Sequence, residues 1–188
     1  TIDNADTSDK DDALSVERLD TGYRIGVHIA DAGALVHAGS AMDREADARM
    51  ATVYLPERKI PMLPPEVAEQ AGSLQPGERR VALSLLVEFD TSGQVGDWRV
   101  SPSVVTSRAS LSYDDADRAL DDPAHRWHEI LQLLSQIAVQ LARDRLEKGA
   151  LTLNRREMSV KADASGDVEV EVVRRTSRGR VMVAELMI

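Results

Sequence analysis

Apolar and polar positions alternate near the start of the chain with the two-residue period of half-buried strands. Residues 13–19 and 23–30 are two such runs separated by Asp20-Thr21-Gly22, a turn-forming triplet, so they predict a β-hairpin. The same logic predicts a hairpin for residues 80–89 and 96–110 across Asp90-Thr91-Ser92-Gly93, and a third for Glu157–Ala162 and Val168–Val173 across Asp163-Ala164-Ser165-Gly166. Elsewhere the period changes to that of helices. Ser40 is a candidate N-cap for a helix over 41–51, and shorter helices are predicted over Glu66–Ala71 and 113–120. Residues 125–148 carry an apolar stripe at Ile130, Leu133, Leu134, Ile137, Leu141 and Leu146 and stop at Gly149; a last helix is predicted over 180–188. Ile60-Pro61-Met62-Leu63-Pro64-Pro65 cannot be the interior of a regular element, because proline fixes φ and removes donors. No internal repeat interrupts this order. The expectation is an α+β fold, a mixed and largely antiparallel twisted sheet built from hairpins and flanked by helices.

Composition narrows the chemistry. The 188 residues suit one domain, and with one Phe and two Trp its core must be made of Val, Leu, Ile, Ala and Met. The absence of Cys excludes disulfides, thiolate metal sites and cysteine nucleophiles, and agrees with a reducing, cytoplasmic setting. No apolar run approaches the ~18 residues of a membrane span. A net charge of −9 is unlike a generic duplex binder, which neutralises phosphates with basic side chains. The charge is uneven, however: residues 143–180 hold ten Lys/Arg against seven Asp/Glu, while the first twelve positions are strongly acidic.

That acidic segment is the strongest local signal. Asp3, Asp6, Asp9, Asp11 and Asp12 put five carboxylates within ten positions, immediately before a strand-forming run. Hard oxygen donors at this density suit Mg²⁺. A solvated acidic loop and a calcium loop are the alternatives, although the glycine and glutamate spacing of the EF-hand is missing. Tyr54, between Val53 and Leu55-Pro56, reads equally as a core tyrosine with a capped hydroxyl. His28 and Asp31 read as orienting or packing residues, and Arg174, Arg175, Arg178 and Arg180 as either a phosphate contact or a solvated face.

Beyond these residue-level readings, Thr1-Ile2-Asp3 followed by Asp9, Asp11, Asp12 and Ala13 resembles the signature of the RNase II/RNase R superfamily catalytic domain, the RNB domain. Further blocks follow in the family's order: Gly26-Val27-His28-Ile29-Ala30-Asp31, Gly39-Ser40 with Asp43, Tyr54-Leu55-Pro56, Ile60-Pro61-Met62-Leu63-Pro64, Ser73-Leu74, Ser112-Tyr113 and Ala184-Glu185-Leu186-Met187. The resemblance implies a Mg²⁺-dependent (Mn²⁺ substituting), processive 3′→5′ exoribonuclease that releases nucleoside 5′-monophosphates from single-stranded RNA, monomeric and cytoplasmic. It implies that Asp3, Asp9, Asp11 and Asp12 bind metal, that Asp11 is indispensable for cleavage, that Tyr54 stacks on the terminal base and that Tyr113 lies near the RNA path. The second stacking aromatic of some members falls at Val160, which is not aromatic. The family's catalytic arginine belongs downstream of Met187 and its oligonucleotide-binding domains flank the catalytic domain, so residues 1–188 are expected to be one partial domain, the N-terminal part of an RNB domain. A family member that binds RNA or a partner without cutting is the alternative.

Overall fold

The computed structural model describes residues 1–56, 58–151, 157–162, 168–173 and 177–188. In chain order its elements are β1 (Ile2–Asp3), β2 (Asp12–Leu19), β3 (Gly22–Ala30), α1 (Ala32–Leu35), α2 (Ala41–Arg49), β4 (Val53–Tyr54), β5 (Lys59–Ile60), a π-helical segment (Glu66–Ala71), β6 (Arg79–Asp90), β7 (Val95–Thr106), β8 (Leu111–Ser112), α3 (Tyr113–Asp121), α4 (His128–Glu147), β9 (Glu157–Ala162), β10 (Val168–Val173) and α5 (Arg178–Leu186). The fold is the expected mixture. Its main sheet has the order β2-β3-β6-β7, antiparallel throughout, and β9-β10 forms a separate antiparallel pair.

All three hairpins form where their alternation predicts, though the turn of the third lies outside the described residues. The β2–β3 turn depends on Gly22. At φ 151°, a Cβ there would stand 2.0 Å from the Phe89 carbonyl oxygen of the neighbouring strand, so only glycine lets β3 pair with β6 at that end.

One face of the sheet meets the helices. Ile25 and Phe89 join Ile2, Ala116, Ala119, Leu120, Leu131, Leu134, Ile137, Ala138, Met182 and Val183 in a single core between the sheet, α3, α4 and α5. Each fully buried Leu or Ile there contributes about 1.5–3 kcal/mol. The buried stripe of α4 is centred on Leu131, Leu134, Ile137 and Ala138, whereas Ile130 and Leu146 of the expected stripe are exposed. Because α4 packs against both α3 and α5, its buried face takes in Leu131 and Ala138 beside Leu134 and Ile137, with Leu133 and Leu141 partly buried against the same core.

Several boundaries move for local reasons. The helix expected over 41–51 ends at Arg49, because Met50 adopts a left-handed conformation with φ 62°. The last helix begins two residues earlier than expected, capped by Ser177, whose hydroxyl accepts from the Arg180 N–H. Strand β7 ends at Thr106 instead of continuing to 110, and the chain then turns into β8. The short helix α1 and the two-residue strands β1, β4, β5 and β8 carry no periodic signal and were not expected. One of them breaks the antiparallel rule: β1 pairs in parallel with β8, Ile2 opposite Leu111 and Asp3 opposite Ser112.

Candidate active site

The acidic segment is held in place from several sides. Buried Ile2 and the parallel β1–β8 pairing fix Asp3 beside the start of α3. Asp12 is the first residue of β2, opposite Ile29, and the Asp11 carbonyl accepts the Ala30 N–H at 2.8 Å. The loop between them is clamped by residues 73–75. Ser73, fully buried, accepts the Lys10 N–H at 2.9 Å and donates to the Ser8 carbonyl; the Leu74 N–H binds the Lys10 carbonyl, and Gln75 Nε2 donates to the Ser8 carbonyl at 3.0 Å. The Lys10 ammonium folds back onto the Thr7 carbonyl.

The result is one cavity of about 650 Å³ lined by Asp3, Asn4, Asp6, Thr7, Ser8, Asp9, Asp11, Asp12, Tyr54 and Lys59. All four aspartates named from the sequence share it. They are not closed on a common point: among the described residues, no three acidic or histidine side chains form a ready metal-holding group. The donors nonetheless suit a hard divalent cation. Asp3 Oδ2 is buried without a hydrogen-bond partner, a costly condition for a carboxylate oxygen that a cation would relieve. Burial, followed by repulsion from Asp3, raises the Asp12 carboxyl to about 6. Asp3 is raised chiefly by burial. Asp11 is exposed, yet partial desolvation and repulsion from Asp9 and Asp3 hold it above the usual carboxylate range. Crowded, partly desolvated carboxylates of this kind favour either a proton or a metal.

Tyr54 stands at the edge of this cavity on β4, and it is not a core tyrosine: 68% of its surface is exposed, and its hydroxyl donates to Asp9 Oδ2 at 3.5 Å. Burial of the hydroxyl and the charge of Asp9 raise the phenol. Tyr113 does not line the cavity. It opens α3 with the Arg180 guanidinium 4.2 Å above its ring, and Arg180 in turn donates to Asn4 Oδ1 on the cavity wall. Val160 lies on β9 and is exposed.

His28 and Asp31 serve the scaffold. The two imidazole nitrogens of His28 lie 2.8 Å from Ser15 Oγ and 2.6 Å from Ser84 Oγ, a bridge across three strands, and burial lowers its pKa. The ring borders a separate cavity of about 260 Å³ beside α4, whose described lining includes none of the aspartates. Asp31 caps α1, its Oδ1 accepting from the Ala34 N–H. Sequence reasoning missed Lys59, Asn4 and the Ser73–Gln75 clamp. Of these only Ser73-Leu74 stood out in the sequence, without a role.

Similar proteins carry the same architecture. Ribonuclease R of Thermotoga maritima is 38% identical over 195 residues, covering all of this chain and 28% of that protein, and a protein of Arabidopsis thaliana called inactive exonuclease DIS3L2 is 38% identical over 170 residues, covering 81% of this chain and 16% of its own. Mycoplasma genitalium RNase R, solved in complex with ribose-methylated single-stranded RNA, superposes with a TM-score of 0.90 at 25% identity, over all of this chain and 30% of that one. The chain thus spans less than a third of the length of these relatives. Because the RNB domain family matches residues 1–188, from the first aspartate-bearing strand to the last helix, the chain belongs to the RNB family.

Proposed function

We propose that the protein containing this chain is a Mg²⁺-dependent, processive 3′→5′ exoribonuclease that shortens single-stranded RNA to nucleoside 5′-monophosphates, and that Asp3, Asp9, Asp11 and Asp12 hold its metal. The observation that carries this reading is the gathering of these four carboxylates in one cavity with a partnerless buried oxygen on Asp3 and an exposed aromatic ring at the edge. A divalent ion, when bound, supplies Lewis-acid activation of water and of the phosphodiester. Hydrolysis breaks the bond between phosphorus and the 3′ oxygen of the penultimate nucleotide, so the phosphate leaves on the 5′ side of the released one.

The chain's own residues do the positioning. Stacking on the Tyr54 ring is tolerant of base identity and worth roughly 1–3 kcal/mol per base, which suits an enzyme that must accept every nucleotide. With the terminal base fixed there, one particular linkage faces the carboxylates. The names and RNA-bound structure of the relatives support the substrate class, and the inactive Arabidopsis relative makes a protein that binds RNA without cutting it the second reading.

A 5′-labelled single-stranded RNA incubated with the full-length protein and Mg²⁺ separates the two. The enzyme yields mononucleotides, and Asp11→Asn lowers the rate by at least roughly 10³-fold while RNA affinity stays within about threefold. A wild-type protein that retains RNA uncut favours the binding-only reading.

A further inference from the structure

The wall of the acidic cavity carries its own cation. Among the described residues lining it, Lys59 is the one basic side chain. Its ammonium lies 2.6 Å from Glu69 Oε1 and 3.3 Å from Asp9 Oδ2, with Ser8 Oγ at 3.5 Å and the Tyr54 ring centroid at 5.9 Å. All three charged side chains of this group are less than a third exposed, so their interactions are only partly screened. The Tyr54 hydroxyl donates to the same Asp9 oxygen, which therefore faces two donors.

The carboxylates consequently fall into two groups. Asp9 is compensated by an ammonium and a hydroxyl, whereas Asp3 presents an oxygen with no partner at all. A divalent ion displaces no hydrogen-bonded partner from Asp3 Oδ2, but at Asp9 it has to displace an ammonium. Glu69 makes that displacement feasible, because the shorter of the two contacts of Lys59 is to Glu69, outside the cavity lining. The ammonium can withdraw toward Glu69 without losing an ionic partner.

We propose that Lys59 is a tethered counter-ion that balances Asp9 in the metal-free protein and competes with a divalent cation for it, with Glu69 as the acceptor to which it retreats. Lys59 thereby sets the affinity of the Asp9 side of the site for its ion. The inference rests on the assignment of these aspartates to a metal site.

The test is Mn²⁺ binding to the full-length protein, measured by calorimetry without RNA, so that turnover plays no part in the readout. Lys59→Gln is expected to raise Mn²⁺ affinity roughly tenfold at low salt while lowering the melting temperature of the metal-free protein. Lys59→Arg, which keeps the charge, should stay near wild type. Glu69→Gln should weaken Mn²⁺ binding several-fold, because the ammonium is then left with Asp9 alone. Unchanged or weaker Mn²⁺ binding by Lys59→Gln, in a variant whose circular dichroism matches wild type, overturns the competition; if that variant does not fold, a wild-type response to Glu69→Gln does the same. The two levels fail separately. If the wild type binds Mn²⁺ and Asp11→Asn removes it while Lys59→Gln changes nothing, only the counter-ion role falls, whereas a wild type that binds no Mn²⁺ removes the metal site and this inference together.

Discussion

Asp12 shows how much the acidic segment costs the folded protein. Its carboxyl is raised to about 6, chiefly by burial, so between its ordinary value near 4 and about 6 the folded state binds a proton that the unfolded state has released. Stability from this group is therefore greatest below pH ~4 and is lost as pH rises toward 6. With allowance for partial exposure, the loss is on the order of 1–2 kcal/mol. Asp12→Asn should accordingly raise the melting temperature of the metal-free protein at pH 7.5 and leave it nearly unchanged at pH 4, as thermal scans at the two pH values will reveal. The same protonation competes with cations, so Mn²⁺ affinity should fall as pH drops through 6. Tyr54 is the second informative residue. Its ring is exposed and its hydroxyl contact to Asp9 is long, so Tyr54→Ala should spare the fold and the metal. The variant should instead lengthen the shortest limit product of a labelled RNA, because short oligonucleotides are held by the fewest contacts and lose proportionally most. An end-product ladder identical to wild type would remove the stacking role.

At the level of elements, the site depends on a clamp and not on the regularity of its own loop. Residues 4–11 form no helix or strand, and their positions come from Ser73, Leu74 and Gln75, which follow the π-helical segment, and from the Asp11 carbonyl bound to β3. Ser73→Ala removes the acceptor of the Lys10 N–H from a fully buried position, at a cost of about 1–3 kcal/mol. Because the lost bonds hold the aspartate loop itself, Mn²⁺ affinity should fall together with the unfolding midpoint in denaturant. A stability loss of that size with unchanged Mn²⁺ affinity would show that β1 and β2 position the aspartates unaided. The elements that form the clamp also account for what the sequence concealed. Alternation marked β2, β3, β6 and β7, whereas β1, β4, β5 and β8 have two residues each and cannot express a period.

For the whole molecule, length decides what this chain can do alone. It spans 28% of ribonuclease R of Thermotoga maritima and 30% of the matched Mycoplasma chain. Processive degradation requires an RNA strand to remain bound between cuts, and among the described residues the cavity lining offers one aromatic ring and one basic side chain to hold it. The isolated 188-residue chain should therefore bind Mn²⁺ but release few or no mononucleotides from single-stranded RNA. Robust mononucleotide release by this chain alone, followed on a gel, would show that the machinery is complete within it.

Much of the molecule was legible before folding. The three hairpins, the long helix and the aspartate cluster followed from alternation, helical spacing and carboxylate density, which are properties of neighbouring residues. The stripe of α4 was placed correctly at Leu133, Leu134, Ile137 and Leu141 but not at Ile130 and Leu146, because the two helices it packs against decide which flanking positions are covered. The site was legible in its inventory and not in its assembly. Asp3 reaches the other aspartates through a pairing with β8, more than a hundred residues away, while Tyr54 and Lys59 arrive on a two-stranded ribbon and Ser73 closes the loop from behind. The sequence by itself determined which residues had the chemistry to hold a cation. Only the tertiary structure decided which of them share a cavity, which oxygen is left without a partner and which carries a lysine, because contacts between distant segments leave no periodic trace in the chain that forms them.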